Sequence, residues 1–143
     1  MKTPSKETQA AWRALLSVSK SLVESIERDL KAADLAPLAW YDVLLEIEKA
    51  GEDGIRPFEL QERLLLPQYG MSRLLDRMDT AGLIRRETFG DDRRGQSVFL
   101  TPEGKAMRER IWPVYAGFLA DRIGGALSEK DAIVMRDLLR KLA

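Results

Sequence analysis

The chain has 143 residues, the length of one domain, and its 45% hydrophobic and 32% charged residues are ordinary for a globular protein with a real core. It has neither cysteine nor histidine, which excludes disulfides, thiolate metal sites and a cysteine redox switch, and removes the usual general base and commonest metal ligand. Twenty-three basic residues balance 23 acidic ones, so overall charge gives no support for a nucleic-acid partner; what matters is where the charges point after folding.

No apolar run reaches the length of a membrane span. The opening residues MKTPSKETQ lack the apolar core of a signal peptide. A cytoplasmic protein without membrane contact is the expectation.

Residues 7–33 read as one long amphipathic helix, with Trp12, Leu15, Leu16, Leu22, Val23, Ile26 and Leu30 at three- and four-residue steps. A stripe this long exceeds what a compact domain can cover, which favours a helix from another subunit over packing on the chain itself. Asp34 to Pro37 is a break. Pro37 opens a helix over 38–50 whose inner face carries Trp40, Val43, Leu44 and Ile47, and Gly51 closes it. Ile55 is placed to add a minor strand to a later hairpin.

Pro57 opens a short helix with Leu60, Leu64 and Leu65 on one face, and Pro67 ends it. The same proline starts a second helix, expected over 68–81. Met71, Leu74, Leu75 and Met78 form its buried face. Gln68, Tyr69, Ser72, Arg73, Asp76 and Arg77 lie on the other, and Gly82 is the stop. Residues 83–88 and 96–100 then pair as strands around FGDDRRG, a loop bounded by Gly90 and Gly95 with Asp91, Asp92, Arg93 and Arg94 at its tip. Helix, turn, helix and β-ribbon in that order make a winged helix-turn-helix.

Thr101 is placed to cap a helix that has Pro102 at its first position and runs to about residue 123. Met107, Ile111, Val114, Tyr115, Phe118 and Leu119 form its stripe, and Pro113 inside it should bend it. Gly124 and Gly125 end it. Ser128 and Asp131 resemble a capping box for a last helix over 129–142, with Ile133, Leu138, Leu139 and Leu142 as its apolar positions. The fold class is therefore mainly α (α+β).

This layout suits duplex DNA. A helix fits the major groove, where Gln and Arg read base edges, while Ser and Tyr hydroxyls take phosphate oxygens. Arginines on a wing reach an adjacent minor groove or its phosphates. For any single arginine, plain surface solvation is an equally good account; the order of the elements is harder to dismiss.

Three stretches, SRLLDRMDTAGLIRRE at 72–87, DDRRG at 91–95 and LTPEG at 100–104, resemble the MarR family of bacterial winged-helix transcription regulators. Members show Ser or Thr and Arg early in the recognition helix, an aliphatic run ending in Gly-Leu-Ile/Val, Asp-x-Arg in the wing (here Asp92 and Arg94), and Leu-Thr-x-x-Gly opening the next helix. The resemblance implies one domain over 1–143, with 35–101 as the DNA-binding region and 1–34 and 102–143 as helices that interlock into a homodimer. Two recognition helices about one DNA turn apart then read a pseudo-palindrome, most commonly as a repressor.

On that footing Arg73 and Gln68 are candidates for base edges, Ser72 and Tyr69 for phosphates near the helix N-terminus, and Arg77 for the DNA backbone. Arg94 is the candidate for the minor groove, with Asp92 orienting it and Arg93 on a phosphate. Of Arg85 and Arg86, strand alternation points only one at DNA. Many members release DNA when a small aromatic anion enters a cleft between the dimer helices and the reader. Trp12, Trp40, Tyr41 and Tyr115 are candidates to line it, against the plainer account that they are core and interface aromatics. No cofactor is implied.

Two other classes compete. Adjacent Asp91 and Asp92 without His, Cys or a phosphate-binding glycine loop are more simply a solvated turn than a catalytic pair. A winged-helix protein-interaction module is the stronger rival, and exposed apolar residues on the recognition face would favour it.

Overall fold

The computed structural model describes residues 1–88 and 95–143. It is mostly helical, with one two-stranded antiparallel sheet. The elements are α1 (Lys6–Ala32), α2 (Leu38–Ala50), a 3-10 turn (Gly51–Asp53), α3 (Pro57–Arg63), α4 (Met71–Thr80), β1 (Ile84–Thr88), β2 (Gln96–Leu100), α5 (Pro102–Arg122) and α6 (Glu129–Arg140).

Helix α2 is the hub. Leu38, Tyr41, Asp42, Val43, Leu44 and Ile47 are all buried, so the helix is covered on nearly every side, as a central helix must be. One side joins the reader core of Val43, Leu44, Ile47, Leu60, Leu75, Met78, Ile84 and Val98. The other joins a second core of Ile26, Leu30, Leu38, Tyr41, Ile111 and Phe118 from α1, α2 and α5. Each fully buried Leu or Ile contributes about 1.5–3 kcal/mol relative to exposure, so α2 ties the reader to the long helices through continuous packing.

Polar contacts fix the same joints. The N-cap of α2 is Pro37, which has no side-chain acceptor. Glu27 of α1 supplies one instead, its Oε1 accepting from the Leu38 N–H at 2.8 Å. Arg122 of α5 donates to buried Ser25 of α1 at 2.7 Å and lies over the Phe118 ring. Arg108 of α5 forms an ion pair with Glu48 of α2, its second guanidinium nitrogen donating to Oε1 at 3.2 Å.

The sheet pairs Ile84 with Leu100, Arg86 with Val98 and Thr88 with Gln96. Ile55 bridges to Val98 through bonds of 3.1 and 2.8 Å, so the minor strand expected there is reduced to a single isolated bridge beside the two-stranded sheet. Thr101 caps α5, accepting from the Gly104 N–H at 3.0 Å. Ser128 and Asp131 complete the capping box of α6.

The expected recognition helix over 68–81 is too long. Residues 64–70 are not helical, and α4 begins at Met71. Leu64 leaves α3 in an extended conformation, and Gly70 takes a left-handed one at φ 84°, which glycine adopts without steric cost. Continuing α4 back through Gly70 would also place glycine inside a helix, at about 1 kcal/mol relative to alanine. The connecting segment has its own anchor. Asp42 Oδ2 accepts from the Leu65 and Leu66 N–H groups at 2.8 and 3.0 Å. Leu65, expected on the buried face of α3, is exposed for the same reason.

The outer half of the α1 stripe is bare. Ile26 and Leu30 are buried, whereas Trp12, Leu16 and Val18 are more than half exposed. Helix α6 buries no residue, and Ile133, Val134, Met135, Leu138, Leu139 and Leu142 are all exposed. Trp12 and Leu15 face Val134, Leu138 and Leu142 across an open cleft of about 1000 Å³.

Candidate nucleic-acid interface

Helix α4 turns Met71, Leu74, Leu75 and Met78 into the reader core and leaves Ser72, Arg73, Asp76 and Arg77 exposed. The same helical spacing that buries the apolar set collects the polar set on one outward face.

Two acids on this helix would oppose a polyanion, and both are compensated. Arg86 of β1 donates to Asp76 Oδ1 at 2.8 Å and to Asp79 Oδ2 at 2.9 Å. Burial alone would pull the Arg86 guanidinium down, but the hydrogen bonds and charges of Asp76 and Asp79 outweigh it and raise it above its ordinary value. Arg73 and Arg77 pair with no described residue. Among the described residues the outward face of α4 therefore carries unpaired positive charge, although the chain has equal numbers of basic and acidic residues.

Arg86→Ala is expected to lower unfolding free energy by about 1 kcal/mol, since the pairs are partly exposed, and to weaken DNA binding by leaving Asp76 and Asp79 unopposed. Urea denaturation and anisotropy titrations check both. Arg86→Lys recovers only part, because an ammonium cannot reproduce the guanidinium fork. Unchanged DNA affinity in Arg86→Ala would remove the compensating role.

The alternation expected of the two strand arginines holds. Arg86 turns to α4, and Arg85 lies over the Phe99 ring at 4.3 Å and pairs with Glu87. Sequence spacing alone does not reveal the bond between β1 and the recognition helix. Its signal was present as two carboxylates three residues apart on α4, followed by a two-arginine strand.

Gln68 and Tyr69, expected on the recognition helix, lie in the segment that leads into it. The Gln68 carbonyl accepts from Gln61 Nε2 at 3.4 Å, and Tyr69 is 98% exposed. Ser72, Arg73 and Arg77 are on α4 as expected. Asp92, Arg93 and Arg94 lie outside the described residues.

The four aromatic candidates for a ligand cleft do not share one. Tyr41 and Tyr115 meet edge to face with ring centroids 5.4 Å apart. Trp40 packs against the reader core, on a different side of α2. Trp12 stands near the far end of α1, facing α6. Periodicity gives a residue's helical phase and not the element it meets, so it does not show whether these aromatics share a neighbour. The third aromatic at the Tyr41–Tyr115 site is Trp112, at 6.4 Å from Tyr41 and 6.0 Å from Tyr115. Its i, i+3 spacing to Tyr115 on α5 was the available signal.

These aromatics, with Leu38, Asp42 and the Leu65–Leu66 step, enclose a cavity of about 160 Å³. Burial pushes the Asp42 carboxyl up, against the opposing effect of the Leu66 and Leu65 N–H bonds. Burial also raises both tyrosine hydroxyls, which keeps them neutral phenols.

Comparison with known proteins places this architecture. A family model described as MarR family matches residues 33–95, from just before α2, past β1, and ending before β2. An HTH-type transcriptional regulator of Bacillus thuringiensis is 28% identical over 131 residues, 92% of this chain and 85% of the relative. AbsC, a MarR family transcriptional regulator from Streptomyces coelicolor, is similar in structure with a TM-score of 0.85 at 25% identity, over 99% of this chain and 95% of that one. A mutant MarR from E. coli complexed with operator DNA is similar with a TM-score of 0.81 at 25% identity, over 99% of each chain. The matched family model and these similar structures are of transcriptional regulators. The helix-turn-helix segment is thus similar to the MarR family, and the chain as a whole shares the fold of solved MarR family transcriptional regulators.

Proposed function

We propose that the protein is a sequence-specific DNA-binding repressor that reads a pseudo-palindromic operator as a homodimer and leaves it when a small aromatic ligand binds. The observation that carries this reading is the outward face of α4, where Ser72, Arg73 and Arg77 have no side-chain partner among the described residues while Arg86 holds Asp76 and Asp79. Such a face supplies donors for base edges and phosphates together with local positive charge. The similar E. coli protein seen on operator DNA supports the same use of the same elements.

In this reading Arg73 takes base edges. Ser72 binds phosphate at the start of α4, where exposed N–H groups and the helix dipole favour anions, and Arg77 grips the backbone one turn on. Tyr69 reaches phosphate from the segment before the helix. Gln68 is the weaker candidate for a base contact, because its segment approaches the helix end and not its face. Arg94 enters the minor groove from the wing with Asp92 orienting it, and Arg93 takes a phosphate. The 35–101 region reads DNA, and 1–34 with 102–143 make the dimer.

A second reading has one observation in its favour. Phe58, Leu65 and Tyr69 are all more than half exposed around α3 and α4, which would suit a protein-interaction module. Helix α4 itself presents Ser and Arg, which supports DNA as the partner.

The test is selection from random and genome-derived duplexes across a salt series, with wild type, Arg73→Ala and Arg94→Ala compared. An inverted repeat should be enriched, with affinity falling steeply as salt rises. Arg73→Ala should cost about 1–3 kcal/mol and relax preference at one position of each half-site. Arg94→Ala should weaken binding without unfolding the protein. No enrichment at low salt would transfer the assignment to the interaction module.

A further inference from the structure

Among the described residues, three long-range polar ties hold the reader to the long helices. Glu27 of α1 accepts from the Leu38 N–H at 2.8 Å. The Thr101 hydroxyl, at the start of α5, donates to the Gly82 carbonyl at 2.6 Å. Arg108 of α5 pairs with Glu48 of α2, donating to its Oε1 at 3.2 Å, and also donates to the Tyr41 hydroxyl. The residues of the first two ties double as helix caps, Glu27 for α2 and Thr101 for α5. The third caps nothing.

It is also the costly one. The Arg108 and Glu48 side chains are only 18% and 29% exposed, and Arg108 Nε and Glu48 Oε2 are both buried. Taking two charges out of water offsets much of what their attraction returns, and apolar residues of similar volume often serve stability as well or better. What an ion pair adds to such packing is direction. A guanidinium fork on a carboxylate fixes an angle, whereas apolar faces slide.

The place of the pair in the fold suits that use. Met107, the residue before Arg108, packs against both the reader core and the core of the long helices, so Arg108 stands at their seam. Leu38 and Glu48 are ten residues apart on α2, about 15 Å along its axis. Gly82 lies off that helix, in the turn after α4. Three ties that are not on one line fix the orientation of a body; two leave it an axis to turn about. Without Arg108 the reader keeps its ties at Leu38 and Gly82 and gains that axis.

Resting on the reading of the protein as a dimeric operator-binding regulator, we infer that Arg108 is a positioning residue for DNA recognition: through Glu48 it sets the angle of the reader on the long helices, and so the half-site spacing that the dimer accepts. In a two-fold dimer any turn of the reader is made twice, which changes the separation and relative facing of the two α4 helices. One base pair of spacing moves a half-site by about 3.4 Å and turns it by about 35°. A reader held at one angle rejects a half-site shifted by that much, and a loosened one follows it. Arg108 thus acts on spacing and leaves the reading of bases to α4.

The test uses duplexes carrying the inverted repeat that wild type itself selects, with the spacer unchanged, one base pair shorter and one longer, and a duplex with a single half-site. Wild type is compared with Arg108→Lys and with the double variant Glu48→Met, Arg108→Met, in which no lone charge is left buried. Thermal melting and ultracentrifugation check that each is a folded dimer. Wild type should lose about tenfold or more in affinity when the spacer changes by one base pair, and the double variant less than about threefold, because a fixed reader must deform the duplex instead. The double variant's single-half-site affinity should match wild type's. Arg108→Lys keeps the charge without the guanidinium fork and should fall between them.

A pair that only stabilises the fold would move the melting point and leave the spacing penalty where it was. A double variant with wild type's spacing penalty would overturn the inference. Should that variant not fold, Arg108→Lys with wild type's penalty overturns it in the same way. Failure of wild type to select any inverted repeat defeats the regulator reading, whereas intact selection with an unmoved spacing penalty defeats the positioning role alone.

Discussion

Leu138→Asp should turn the protein into a monomer and reduce operator affinity by about a thousandfold, the lower end of the gap between specific and non-specific binding. The reason lies in what the chain does not cover. Helix α6 has 12 residues, a length at which an isolated helix is marginal in water even with good formers. None of them is buried in the protomer. Leu138, Val134 and Leu142 face Trp12 and Leu15 of α1 across the open cleft. Apolar side chains from both ends of the chain are thus assembled into one patch without a cover, and patches of this kind mark association sites. Closed two-fold pairing covers such a patch on both copies at once.

An aspartate at position 138 enters such an interface once from each copy, and two uncompensated carboxylates in an apolar contact outweigh the packing around them. The substitution costs the protomer itself little, since Leu138 is 55% exposed there. Analytical ultracentrifugation and operator anisotropy, with Lys130→Gln on the exposed first turn of α6 as a control of equal net charge change, decide the matter. A dimeric Leu138→Asp variant with full affinity would remove the dimer from the proposed mechanism.

The elements that were legible in the sequence are those whose signals are local. Thr101–Pro102 marks the start of α5, Ser128 and Asp131 mark α6, and the four buried positions of α4 follow from spacing alone. The segment 64–70 was not legible because its cause is not local. Pro67 is compatible with ending one helix and with starting another, and the choice is made by a carboxylate 23 and 24 residues away in sequence.

Asp42 itself stood in the run WYDVLL as a charge among apolar residues, which signals a buried partner without naming it. The aromatic candidates are divided between sites for a related reason. Trp40 and Tyr41 are neighbours in sequence but about 100° apart around a helix, so they serve different cores. The positive face of α4 needed tertiary information too, since it depends on Arg86 reaching Asp76 and Asp79.

Gly104→Ala is the second large effect, and helix propensity predicts its sign wrongly. Gly104 lies in the first turn of α5, and alanine there should gain up to about 1 kcal/mol on propensity alone. The surroundings reverse this. A Cβ at Gly104 would stand 2.8 Å from Leu100 Cδ1 and 3.0 Å from the Leu83 carbonyl carbon, with the Leu83 carbonyl oxygen closer still. Backbone cannot step aside as a flexible side chain can. The Leu83 carbonyl also accepts from the Thr101 N–H at 3.2 Å, and the Thr101 hydroxyl donates to the Gly82 carbonyl at 2.6 Å while receiving the Gly104 N–H. The start of α5 is therefore docked on the turn where α4 passes into β1, and glycine is what allows the approach.

Overpacking of this kind costs about 1–3 kcal/mol and sometimes more. In a chain of this length each kcal/mol moves the melting midpoint by roughly 2–4 °C, so a fall of about 5–10 °C is expected. Because the corner sets the end of α4 and the start of the wing, DNA affinity should fall with it. Gly117→Ala is the internal control, on the same helix at a position where a Cβ meets nothing within 4 Å. Propensity acts there without opposition, and the melting point should hold or rise by a few degrees. Equal shifts in the two variants would show that the close approach to Leu83 does not govern position 104; opposite shifts would separate packing from propensity on one helix.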